Sequence, residues 1–101
     1  MVRQITRKVV DTAHPTKVIV FGSYARGEAD EGSDLDLLVI ESSVANKHAE
    51  MVRLRLAIGD VGVGVDILVY SEKDVREWGN VPGAALYTAL REGKTTYEAP
   101  H

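Results

Sequence analysis

The apolar positions change period several times along the chain, and each change predicts an element. Val2, Ile5, Val9 and Val10 recur at spacings of three, four and one, with Arg3, Arg7, Lys8 and Asp11 between them, which predicts a helix over 2–12. Ala13-His14-Pro15 stops it, because the residue before a proline disfavours helical geometry. Lys17-Val-Ile-Val-Phe21 is a short run rich in β-branched residues and bounded by Pro15 and Gly22, so it reads as a buried strand. A polar connection from Gly22 to Gly32 follows, with a short helical turn over 23–26. Leu35-Asp-Leu-Leu-Val-Ile40 is the second strand. Ser42 and Ser43 offer caps for a helix over 44–58, with Met51, Leu54, Ala57 and Ile58 as its apolar stripe. Residues 61–70 carry a third strand, and Ser71-Glu-Lys-Asp74 has the form of a capping box opening a short helix. Pro82-Gly83 precedes a last helix over 84–92, with Gly93 as its C-cap, and Thr95-Thr96-Tyr97 adds a short edge strand. This order of helices and strands predicts one α/β (α+β) domain over 1–101, a small mixed β-sheet flanked by helices.

Composition narrows the class of protein. At 101 residues there is room for one domain with a thin core. The net charge of −3 supplies no basic face for a nucleic-acid backbone or an anionic membrane, so no stable nucleic-acid binding is expected. The absence of cysteine excludes disulfides, thiolate nucleophiles and zinc–sulfur sites. No apolar run reaches membrane-spanning length or resembles a signal peptide, so the expectation is a cytoplasmic protein.

The chemistry concentrates between Phe21 and Leu38. Asp34 and Asp36 stand two apart at the start of a strand, so both carboxylates share one face while Leu35 and Leu37 take the other. Like charges so placed repel each other, and Glu28, Asp30 and Glu31 add to the acid density. A bound cation makes the arrangement favourable, and an all-oxygen ligand set suits Mg²⁺ or Mn²⁺. Asp66 interrupts the third strand, and strands two and three side by side would bring it next to Asp36. Gly62 and Gly64 leave open the alternative that Asp66 sits exposed at the strand's beginning. Gly22-Ser23 ends the first strand where a helical turn begins, a place with free N–H groups and close backbone access for phosphate.

Gly22-Ser23, ten further residues, and then Asp34-Leu-Asp-Leu37 together resemble the signature of the DNA polymerase beta-type nucleotidyltransferases. The fuller run Gly22-Ser-Tyr-Ala-Arg-Gly27 with Ser33-Asp-Leu-Asp-Leu37 is similar to the minimal nucleotidyltransferase (MNT) branch. The likeness continues through Val65-Asp-Ile67 and Leu86-Tyr-Thr-Ala-Leu-Arg-Glu-Gly93 to Tyr97-Glu98. The resemblance implies a nucleotidyltransferase fold and two Mg²⁺ ions. Asp34 and Asp36 would be ligands of both ions, and Asp66 a ligand of the catalytic ion that helps deprotonate the attacking hydroxyl. Gly22 and Ser23 would hold the β- and γ-phosphates, with Arg26 assisting. It implies a helical HEPN toxin as partner and, as activity, transfer of AMP from ATP onto a toxin tyrosine, so that the chain acts as antitoxin.

Other readings stand beside these. Arg26 has Glu28, Asp30 and Glu31 within reach as surface partners. His14, His48 and His101 have no metal-like spacing. A partner neutralised by binding alone, or transfer onto a small hydroxylated molecule, are the rival functions. The chain has no room for a second domain, which predicts that another subunit supplies the acceptor, with Trp78 and Tyr87 available for the contact.

Overall fold

The computed structural model describes residues 1–100. The elements are α1 (Val2–Ala13), β1 (Lys17–Phe21), α2 (Ser23–Arg26), β2 (Leu35–Glu41), α3 (Lys47–Ile58), β3 (Val65–Ser71), α4 (Glu72–Trp78), α5 (Ala85–Glu92) and β4 (Lys94–Glu98). The four strands form one mixed sheet in the order β3-β2-β1-β4. β1 is antiparallel to both β2 and β4, and β2 is parallel to β3. The parallel pair requires a crossover, and α3 supplies it.

β2 is buried on both faces, as its apolar run suggests. Leu35, Leu37 and Val39 face a core built with Ile5 and Val9 of α1 and Leu54 and Ile58 of α3. Leu38 and Ile40 face a second core with Ile19, Leu86 and Ala89. The helices thus cover the sheet from two sides, the arrangement expected from the sequence.

Several boundaries move for identifiable reasons. Neither Ser42 nor Ser43 caps α3. β2 runs on to Glu41, the chain needs residues 42–46 to leave the sheet, and the cap is Asn46, whose Oδ1 accepts from the Ala49 N–H at 2.9 Å. The apolar stripe of α3 is narrower than expected, since Ala57 faces solvent. β3 begins at Val65 instead of 61, because Asp60 takes the Gly62 N–H in a turn with Gly62 at φ 82°. The capping box of α4 forms as expected, with Ser71 and Asp74 bonded reciprocally at 3.0 and 3.1 Å. Gly93 caps α5 without the left-handed turn that usually explains a glycine there. Its backbone is extended, and glycine is required because a Cβ would collide with the Ile19 side chain and the Ala89 carbonyl.

At the far end of β2, Glu41 is buried and its Oε2 has no partner. Burial, and then a hydrogen bond to the Glu50 carboxylate, push the Glu41 carboxyl up to about 8. Arg53 grips both oxygens of Glu50 at 2.7 and 2.8 Å and donates to the Thr12 carbonyl at 3.0 Å. That guanidinium, followed by Glu41 as donor, holds the Glu50 carboxyl down at about 2. Linkage sets the sign of each contribution. Glu41 keeps its proton in the fold after losing it in the unfolded chain, so its contribution to stability falls as pH rises from 4.5 toward about 8. Glu50 acts oppositely, and its contribution falls as pH drops from 4.5 toward about 2. Thermal melts across pH are expected to show the decline between 4.5 and about 8 flattened in Glu41→Gln. An unchanged decline would remove Glu41 as its source.

Candidate active site

The candidate residues meet at one end of the sheet. β1 ends at Phe21, whose antiparallel register partner is Asp36, so Gly22 turns away from the sheet directly beside Asp36. In the parallel β2–β3 pair, Asp36 is opposite Asp66. The carboxylates of neighbouring strands therefore stand side by side, as the strand pattern anticipates. Asp34 lies just outside β2, which starts at Leu35, and its carboxylate packs against Gly64. The Leu35 N–H donates to the Gly64 carbonyl at 2.8 Å, which ties the beginnings of the two strands together.

Asp36 is half-buried, whereas Asp34 and Asp66 are exposed. Asp66 thus takes the exposed position that Gly62 and Gly64 left open, because β3 is an edge strand and Asp66 lies near its beginning. Burial raises the Asp36 carboxyl above its usual range, and the charges of Asp66 and then Asp34 push it the same way, against a smaller opposing pull from Arg26. The repulsion inferred from sequence is thus felt at Asp36.

Gly22 has φ 72° and ψ −150°, a region that residues with a side chain avoid, and a Cβ there would collide with the Asp36 carboxylate. The backbone hugs the acid because residue 22 is glycine. Ser23 opens α2 and is half-buried, and the amides of Ala25 and Arg26 both fold back onto the Gly22 carbonyl at 3.1 and 3.2 Å. Arg26 is exposed and pairs with Glu28 at 3.0 Å, the surface partner open to it from sequence, while remaining close enough to influence Asp36. Such an exposed pair contributes little and yields readily to a stronger anion. Gly64 is a site feature that sequence reasoning missed as such, since its lack of a side chain makes room for the Asp34 carboxylate. The signal was its position two residues before Asp66.

The donor set is chemically suited to a hard divalent cation, being carboxylate oxygen throughout. Among the described residues no three acidic or histidine side chains converge tightly enough to hold an ion by themselves. The set fits an ion that draws its remaining oxygens from water and a phosphate chain, which is the usual habit of Mg²⁺. No helix of the described residues is long and apolar enough to cross a membrane.

Comparison with known proteins agrees with this geometry. Residues 2–98 match the family model for the nucleotidyltransferase domain. The chain is 38% identical over 74 residues to "Putative protein adenylyltransferase MJ0435" of Methanocaldococcus jannaschii, covering 69% of this chain and 78% of that protein. Its fold is similar to that of a "putative nucleotidyltransferase from Sulfolobus solfataricus", with TM-score 0.63, 18% identity, and 96% of this chain and 77% of the other aligned. It is also similar to a chain in a crystal structure of a toxin–antitoxin with AMP-PNP, with TM-score 0.64, 17% identity, and coverage of 98% and 75%. A family match spanning nearly the whole chain, on a fold that gathers the signature residues at one sheet end, shows that this protein belongs to the nucleotidyltransferase domain family.

Proposed function

We propose that the protein transfers AMP from ATP to a hydroxyl of a partner protein, a tyrosine of a HEPN toxin, and thereby acts as antitoxin. The observation that carries the reading is the Asp36–Asp66 register pair with the Gly22 backbone packed on Asp36. The named relatives, a protein adenylyltransferase and a toxin–antitoxin structure, support the acceptor class.

In this reading Asp34 and Asp36 would hold two Mg²⁺ ions, with Asp66 as a further ligand. The ions would neutralise the triphosphate and polarise the attacking hydroxyl. Gly22 and Ser23 present backbone and hydroxyl donors to the β- and γ-phosphates. Arg26 exchanges Glu28 for phosphate. The hydroxyl oxygen attacks the α-phosphorus, the bond to the bridging oxygen of the β-phosphate breaks, pyrophosphate departs, and Asp66 receives the hydroxyl proton. Positioning and electrostatics supply most of the acceleration in such transfers.

The test uses the full chain, a purified helical partner encoded beside it, ATP labelled in the adenosine, and Mg²⁺. Mass spectrometry is expected to find one or more AMP units on a partner tyrosine. A partner that binds tightly and stays unmodified would instead establish neutralisation by binding alone.

A further inference from the structure

Across the reactive end of the sheet, Gly22 lies on the β1 side of Asp36 and Asp66 lies on the other side. A donor nucleotide held at Gly22 and Ser23 therefore leaves the β3 side for the acceptor. β3 is an edge strand, and among the described residues no strand pairs with its outer side.

The two edges of the sheet differ in character. β4 is five residues long, carries Lys94 and Glu98, and has a register shift opposite Val18 and Ile19, all features that discourage further pairing. β3 is seven residues long, contains neither lysine nor proline, and keeps an unbroken register with β2 from Val65 to Ser71. A groove of about 200 Å³ runs along it, walled by Lys47 and Met51 of α3 and floored by residues 67–70. The groove ends short of the reactive end of the sheet, which is acidic, with Asp36 on β2, Asp66 on β3, Asp34 just before β2 and Asp60 in the loop leading to β3.

We infer that β3 is the docking edge for an extended, arginine- or lysine-bearing segment of the acceptor protein, which pairs as a fifth strand and brings its hydroxyl residue beside Asp66. Strand addition draws affinity from main-chain hydrogen bonds and specificity from alternate side chains. A fifth strand would lie about 4.8 Å from β3, and the residue opposite Asp66 would share its face. A basic flank answers the acids at the beginning of β3, beyond the groove. This inference rests on the transferase reading and adds the route by which the acceptor arrives.

The peptide titration itself needs neither ATP nor turnover. The ¹⁵N-labelled full chain is titrated with the capped peptide Arg-Val-Tyr-Val-Arg, with its acidic counterpart Glu-Val-Tyr-Val-Glu, and with versions N-methylated at alternate amides. Amide shifts are expected to concentrate in residues 65–71. One N-methylated pattern and the acidic peptide are each expected to bind about tenfold more weakly or worse. Met51→Lys should repel the basic peptide while leaving uptake of Mg²⁺-ATP unchanged, and the N-methylated peptides decide the matter if that variant misfolds. Shifts at β4 or the helices, equal affinity for all peptides, or no saturable binding at millimolar concentration would overturn the proposal. So would concentration-dependent perturbation of the same amides without peptide, which would assign the edge to a second copy of this chain. AMP transfer that proceeds without β3 involvement would defeat the docking route alone. Peptide capture at β3 by a chain that binds no nucleotide would defeat the transferase reading alone.

Discussion

Asp36→Asn is expected to lower the proposed AMP transfer by about a thousandfold or more while the protein folds normally. A carboxylate that holds a metal, the role proposed for Asp36, would supply several kcal/mol of charge stabilisation, and each 1.4 kcal/mol is a factor of ten in rate. Asp36 is the right target because it stands between the other two acids and the Gly22 backbone. The variant has a second signature. Burial and the neighbouring acids disfavour the ionised Asp36 in the metal-free fold, so destabilisation builds as the pH rises from 3.8 and is complete above its raised value. The amide removes the charge. Without Mg²⁺ the variant should melt at or above the temperature of the unsubstituted protein, and the stabilisation gained on adding Mg²⁺-ATP should shrink sharply. Calorimetric melts with and without Mg²⁺-ATP, alongside the transfer assay, check both. Full transfer by Asp36→Asn would remove the carboxylates from the mechanism.

Gly22→Ala is expected to cost about a hundredfold or more in transfer together with about 1–3 kcal/mol in stability. The stability cost comes from forcing a side chain into φ 72°, ψ −150°. The larger loss comes from the new methyl group, which has to occupy the space of the Asp36 carboxylate. Displacing a reactive group by about 1 Å is enough for a hundredfold effect. Gly27 provides the control. It too has φ 72°, but with ψ 21° and open space where its Cβ would stand. Gly27→Ala should cost about 1–2 kcal/mol, the penalty of a left-handed residue, and leave transfer nearly intact. Comparable transfer by the two variants would show that the contact between residue 22 and Asp36 is unimportant.

The sheet and the meeting of acids were legible because they rest on short-range rules. Alternation in Leu35-Asp-Leu-Leu put Asp36 opposite the main core, and an apolar β-branched run at 65–69 made a strand that pairs beside it. What escaped depends on contacts between residues distant in sequence. Ser42 and Ser43 look like helix caps, but how far β2 continues decides that Asn46 is used instead. Gly62 and Gly64 left the exposure of Asp66 open, and the place of β3 at the sheet edge, which no local pattern encodes, decides it. The glycine at 93 suggests a helix terminator, whereas its real constraint is the Ile19 side chain across the core. Glu41 carries no local signal, and only the return of α3 with Glu50 and Arg53 makes it a buried carboxyl pushed up to about 8.

The double-sided burial of β2 also bears on how steadily the chemistry is held. A strand whose side chains belong to two separate cores opens only when both give way, so its amides should be among the last to exchange with deuterated solvent. Asp36 rides on that strand, whereas Asp34 and the Gly22 turn are joined to it from loops. Slow, near-global exchange at Leu37–Ile40 beside faster exchange at 22–34 would describe a rigid anvil with a yielding rim, suited to the nucleotide exchange proposed for this site without disturbing the acid at its centre.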